Sequence, residues 1–302
     1  MSIVKIIYSN DIDVNLWDEC TKKHQAPIYA TYMYLNTLAE NWAAIVVNNY
    51  EVLFPFCYKI KFGIRYLYMP PFVQQLGIIG TATPAIFNAI TSKLFSFVSY
   101  GDIMINEYTN TFINNETIAK TNFELLLNKP HETLTQQFHT DFRRLTKRAI
   151  NNNLQYLKTN DTKEALEIYY KMYGVRFEKT SEKDFKQFKL IADLLLQKNQ
   201  CFIRKVVSQE NELLSISLFL KDDNRMYNLA NTTTEKGRKL ASNFLLYNNV
   251  LQEFENSNLI FDFEGSDLPG VKDFYKMFKP SVINYFHWHV NHLPWFVKLF
   301  KA

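Results

Sequence analysis

At 302 residues the chain exceeds what one core comfortably fills, so two domains are expected. Apolar residues make up 47% and aromatic residues 16%, with only 8 glycines and 9 prolines, which excludes disordered, low-complexity and fibrous classes. A formal charge of +4, from 34 basic and 30 acidic residues, is too mild to mark a DNA binder, and the scattered Cys20, Cys57 and Cys201 give neither a disulfide framework nor a thiolate metal knuckle.

The opening Ile3 to Tyr8 reads as a strand, since its apolar run is too short and too soon followed by acids for a signal peptide. Helices are expected over 14–22 and 30–40, the second with Tyr34, Leu38 and Trp42 as an apolar stripe. Strands rich in Val, Ile, Tyr and Phe follow at 43–47, 51–59 and 66–69. Pro70 and Pro71 open a stiff loop that no regular ladder tolerates. A helix over 83–95 and strands near 97–106 and 120–127 complete the first half.

His131 to Asn152 reads as one long helix. Phe138, Phe142, Leu145 and Ala149 form its apolar stripe, and Arg143, Arg144, Lys147 and Arg148 lie on the other side. It is expected to bridge two domains, 1–130 and 131–302. A strand at 154–158 and helices at 163–173 and 182–197 come next, then three strands at 201–207, 213–221 and 225–230. A helix over 237–255, a buried strand at 259–264, a short helix at 270–278 and a closing strand at 283–290 finish the chain. A helix between two late strands implies a parallel crossover. No stretch offers the roughly 20 apolar residues of a membrane span, so a soluble, cytoplasmic protein is expected.

Three segments then carry a resemblance. They are Phe54-Pro55-Phe56 with the loop from Pro70-Pro71-Phe72 to Leu76-Gly77; Phe142-Arg143-Arg144-Leu145-Thr146-Lys147-Arg148-Ala149 ahead of the strand at Leu154; and Phe261-Asp262-Phe263-Glu264-Gly265-Ser266 followed by Gly270-Val271-Lys272-Asp273-Phe274. In this order they resemble the acyl-CoA N-acyltransferase (GNAT-like) fold, as used twice in the Fem peptidoglycan-bridge aminoacyltransferases and in related bacterial acetyltransferase-like proteins. The resemblance implies a mixed α/β fold of two such domains in tandem, each a central mixed sheet flanked by helices. It also implies a bacterial transferase moving an acyl group to an amine acceptor (a small molecule, peptide or sugar amine) held between the domains. The donor it implies is acetyl-CoA or a longer acyl-CoA, bound by the second domain, with no metal. Two departures keep alternatives open. The pyrophosphate loop reduces to Arg238-x-x-Ala241-x-Asn243, and Phe274-Tyr275, with Lys276 one place later, stands where the Fem enzymes carry Phe-Lys. The alternatives are a binding module without a donor site, or a transferase that takes aminoacyl-tRNA.

Acyl transfer from an activated donor needs orientation, an oxyanion partner and a base. The fold's donor site maps to Asn228, Leu229, Ala230 and Asn231 and to the turn at Lys236, Gly237, Arg238 and Lys239, where a helix start favours phosphate; a plain soluble turn is the competing reading. Leu259, Phe261 and Phe263 alternate onto one strand face, which puts Asp262 and Glu264 together on the other. Paired and desolvated, one of them gains the pKa of a useful base, and Glu264, nearer the strand's C-terminal end, is the choice. The competing reading pairs one acid with a buried cation. Tyr275 would protonate the leaving thiolate, with plain packing as the competing reading; Arg144, Arg148 and Lys276 would hold a phosphate-bearing substrate, with a solvated face as the competing reading for the basic helix. His287 and His289 share a strand face, with His292 near, and lack further ligands for a metal, so a structural part is expected. The aromatic, basic tail 293–301 is expected to dock on the protein's own core, with weak peripheral membrane contact as the alternative.

Overall fold

The structure, a computed structural model, describes residues 2–113, 116–174, 180–265 and 268–293. The chain divides into two compact units: Met1–Lys120 with Asn284–Ala302, and Thr121–Ile283. The sequence pointed to one boundary near 130; the units exchange at 120/121 and again at 283/284.

In the first unit β1 (Val4–Tyr8), β2 (Trp42–Val47), β3 (Val52–Lys61) and β4 (Ile64–Leu67) form an antiparallel meander. The helix α3 (Pro84–Phe97) then crosses to β5 (Tyr100–Asn106), which runs parallel to β4, and β12 (Ser281–Asn291) closes the sheet antiparallel to β5. Every residue of β2 is buried, as is β3 from Val52 to Tyr58, which explains their unbroken apolar sequences. Phe54 and Phe56 of β3 pack with Phe87, Ile90 and Leu94 of α3, and Trp288 and Val290 of β12 complete that core. The helices α1 (Val14–Lys23), capped by Asp13, and α2 (Tyr32–Leu38) lie between β1 and β2, and a one-turn α4 (Glu107–Asn110) follows β5. The parallel contact of β4 with β5 spans only Tyr66↔Tyr100 and Leu67↔Gly101. Gly101 is required there: a Cβ would stand 2.2 Å from the Leu67 carbonyl oxygen.

The second unit repeats this plan. A meander of β7 (Gln155–Thr159), β8 (Cys201–Val207), β9 (Leu213–Lys221) and β10 (Arg225–Thr233) leads through α9 (Glu235–Lys239) and α10 (Ser242–Glu253) to β11 (Ile260–Asp262), parallel to β10. An antiparallel sixth strand, β6 (Thr117–Leu126), pairs with β11. The helices α5 (His131–Gln137), α6 (Thr140–Asn151), α7 (Thr162–Tyr173), α8 (Glu182–Gln197) and α11 (Pro269–Lys276) complete the unit. Its core gathers Phe142, Phe219, Met226, Tyr247, Phe261, Phe263 and Phe278.

Two expected helices are each divided. The stretch 131–152 breaks at Phe138 and His139: Phe138 turns extended, and the His139 ring accepts the Asp141 N–H at 3.2 Å to cap α6. The stretch 237–255 breaks at Ala241, which is left-handed with φ +60°, so the long helix begins at Ser242 and not at Gly237. The closing strand, expected in the second half, belongs to the first unit.

Candidate active site in the second unit

The strands β10 and β11 run together for three residue pairs, from Arg225↔Ile260 to Tyr227↔Asp262. There β11 ends, while β10 continues and shifts register between Asn228 and Ala230, with Leu229 bulged out of its ladder to β9. Beyond Tyr227 and Asp262 the parallel ladder ends, and among the described residues the stretch Asn228–Thr233 pairs only with β9.

Polar side chains gather at the point of parting, inside a core that is otherwise apolar. Asn228 donates to the Tyr275 hydroxyl at 3.2 Å and accepts from Ser217 Oγ at 3.1 Å. The Tyr275 ring packs tilted against Phe263, with centroids 4.8 Å apart. Tyr247 of α10 lies within electrostatic reach of Asn228 and Tyr275, and Tyr169 of α7 within reach of Tyr275. Burial, reinforced by Tyr169 and Glu264, pushes the Tyr275 phenol up, so it keeps its proton. Further along, Ser215, Thr233 and Ser242 hold buried hydroxyl oxygens with no hydrogen-bond partner among the described residues. Such atoms are uncommon in a finished core and mark a place where a polar guest has use.

Glu264 follows β11 in the left-handed region, φ +66°, with Gly265 beside it at +62°. A Cβ on Gly265 would meet the Thr121 carbonyl oxygen at 2.6 Å, so the chain turns here against β6. The Glu264 residue keeps some exposed surface, yet its Oε1 is buried and has no hydrogen-bond partner among the described residues. Burial pushes its carboxyl well above the ordinary glutamate range.

Asp262 is differently placed. Only 2% exposed, it receives Asn122 Nδ2 at 2.9 Å and the Glu264 N–H at 2.8 Å on Oδ1, and Arg225 Nη1 at 2.8 Å on Oδ2. Arg225 also pairs with Glu124. Burial opposes the Arg225 charge, but Asp262 and Glu124 more than restore it. The expected pairing of Asp262 with Glu264 on one face therefore stops at Asp262, where the strand stops. Asp262 enters an ion pair and holds the Glu264 backbone.

The expected cations all have local partners. Lys236 pairs with Glu212; Lys239 with Glu235 at 2.8 Å; Arg238 Nη1 donates to the Thr233 carbonyl at 2.7 Å. Arg144 pairs with Asp141 at 2.9 Å, Lys276 with Asp273 at 3.7 Å, and Arg148 Nη2 donates to the Lys239 carbonyl at 2.7 Å. Gly237 is buried: a Cβ would lie 2.1 Å from the Leu214 carbonyl oxygen, and its N–H is taken by Thr234 Oγ1 at 2.9 Å. The glycine lets α9 pack on β9, and a phosphate has no approach to that amide while Thr234 holds it. The α10 start has no side-chain cap, and Asn231 donates to Asn243 there at 3.0 Å.

Sequence reasoning missed Ser217, Tyr247 and Tyr169, which read as ordinary strand and helix packing, and Arg225, whose two acidic partners are remote in sequence. In the first unit His287 and His289 both bond one Asp102 oxygen at 2.8 Å, and His292 packs on Phe95 at 4.1 Å. No group of three or more metal-ligating side chains occurs among the described residues. Leu293 is buried; residues 294–301 of the tail lie outside the described residues.

Comparison with solved structures bears on the fold. The chain is similar to FemX, with a TM-score of 0.70 at 12% identity, covering 99% of this chain and 100% of that one. It is also similar to the C-terminal domain of a putative lysylphosphatidylglycerol synthetase from Agrobacterium fabrum (TM-score 0.59, 9% identity, 92% and 91% covered). A third likeness is to a tandem GNAT protein from the clavulanic acid biosynthesis pathway (TM-score 0.58, 10% identity, 97% and 99% covered). No family model and no curated protein sequence matches. The chain has a tandem GNAT-like fold that resembles the Fem proteins.

Proposed function

We propose that the protein is an N-acyltransferase whose second unit binds an activated acyl donor in a slot beside β10. One observation carries this reading: β10 and β11 part at Tyr227 and Asp262, and Asn228, Tyr275 and Glu264 meet at that point. A slender thioester arm bearing amides suits the slot, because it offers donors and acceptors to the buried hydroxyls of Ser215, Thr233 and Ser242. Acyl-CoA is the donor proposed, and the partner class is a primary amine.

In the reaction the Glu264 carboxylate takes the proton of the acceptor ammonium, and the freed amine attacks the thioester carbonyl carbon. The carbon–sulfur bond breaks as the carbon–nitrogen bond is completed; Tyr275 gives its proton to the departing thiolate and is reprotonated by the second proton that the nitrogen sheds on becoming an amide. A high carboxyl pKa strengthens Glu264 as a base once it is ionised, and a high phenol pKa keeps Tyr275 charged with the proton it delivers. Asp262 positions Glu264 through its backbone N–H.

A second reading, a module without a donor, is favoured by the buried Asn228–Tyr275 bond where β10 and β11 part and by the local pairing of the expected phosphate cations. Calorimetric titration of the folded protein with acetyl-CoA and longer acyl-CoAs separates the two. Binding by any of them, weakened in Asn228→Ala, supports transfer from acyl-CoA; silence from all removes the acyl-CoA donor. Tight binding of charged tRNA that falls steeply with salt would instead assign an aminoacyl-tRNA donor.

A further inference from the structure

The tip of the β3–β4 hairpin carries a residue that the fold does not account for. The ladder closes at Lys61↔Ile64, and Phe62 and Gly63 turn the chain with φ of +51° and +76°. A two-residue hairpin needs this left-handed pair, and Asn, Asp or Gly fills its first position with little strain. A bulky side chain there is an outlier. Elsewhere the chain meets the same demand with asparagine, at Asn48, Asn153, Asn199, Asn211 and Asn256. Its other left-handed aromatic residues, Tyr50 and Phe72, are half-buried and bonded within the fold. Phe62 has no such compensation, being 91% exposed.

Its neighbours extend the pattern. Ile60 is 57% and Ile64 37% exposed, and the segment Lys59-Ile60-Lys61-Phe62-Gly63-Ile64-Arg65 contains three cations and no acid. Lys61 stands over the Phe62 ring at 5.7 Å, Arg65 over Phe97 at 4.4 Å, and Lys59 pairs with Glu40 at 3.3 Å. We propose that this hairpin tip docks on an anionic lipid surface. Phe62, Ile60 and Ile64 enter the interfacial layer, while Lys61 and Arg65 meet the phosphate-bearing headgroups. A convex wedge with cations behind its apolar point suits a membrane interface, which needs no complementary pocket. Each cation near such a surface adds to the attraction, and salt weakens it.

Co-sedimentation of the full chain with vesicles tests this. It should pellet with phosphatidylcholine vesicles containing phosphatidylglycerol, pellet far less with phosphatidylcholine alone, and release as salt rises. Phe62→Asn removes the wedge and gives the turn a residue at ease in its conformation. Its vesicle affinity should fall by about tenfold or more while its Tm holds or rises. Lys61→Glu should weaken binding to the anionic vesicles alone. No pelleting with the anionic vesicles, or wild-type affinity in Phe62→Asn, overturns the proposal. So does a concentration-dependent dimer in sedimentation equilibrium that Phe62→Asn abolishes, since the tip would then serve a second copy.

Discussion

Glu264 combines backbone strain, a buried carboxyl oxygen and a neighbouring phenol in one residue. A non-glycine residue held at positive φ stores energy that the surroundings must supply, and such residues cluster at functional sites. If it is the base, kcat/KM rises with pH as the carboxyl ionises at its raised value, and Glu264→Gln loses about 10²–10⁴ in rate in a thiol-release assay over a panel of amines. Stability moves the opposite way. The folded protein holds this proton above the ordinary 4.5, so the contribution is complete in acid and is lost as pH rises through the folded value. Urea melts should therefore show wild type losing ground to Glu264→Gln as the pH rises above 4.5. Asp262 belongs to a different economy. Asp262→Asn leaves Arg225 with a weakened partner in a buried network and is expected to cost about 3 kcal/mol, read as a lower urea midpoint at neutral pH. Strand alternation pointed to both acids, yet it could not separate them: the period of two ends with β11 at Asp262, and the left-handed turn that re-aims Glu264 leaves no mark in an Asp-Phe-Glu-Gly sequence.

At the scale of elements, most strands and helices were legible because burial imposes their periods, and the misread ones turn on single capping residues. The stripe through Phe138 and Phe142 spans the α5–α6 break undisturbed, since both rings reach the Phe278 cluster from either side of it. Histidine at the cap gives no usual start signal. The α9–α10 break hides in the same way behind Ala241, an unremarkable helix former that adopts φ +60°. Gly237 looked like a phosphate turn and is a packing residue. Gly237→Ala should destabilise the protein by about 1–3 kcal/mol, because its methyl would press into the Leu214 carbonyl, which is backbone and yields poorly. A melt indistinguishable from wild type would contradict that packing.

Across the whole molecule, the two halves showed in sequence only a loose common order of strands and helices, with a parallel crossover implied only late in the second. The sixth strands were legible as strands, near 120–127 and at 283–290, but their pairing was not. The exposure pattern of β12 says that it is a half-buried strand, but a strand's partner is set by contacts far along the chain, and β5 lies about 180 positions before it. Residues 121–283, with their own core, should fold as a separate fragment that melts cooperatively. Residues 1–120 should not, unless 281–293 are joined to them; circular dichroism and thermal melts of the two fragments decide. The loan of that last strand also bears on the order of events at the ribosome. The first half emerges with β5 still bare on one side, and the second half is free to complete itself before the missing strand is synthesised. The earlier-made unit is thus the later to mature, and transcripts or nicks that lose the final stretch leave an open sheet edge of the kind that recruits other chains.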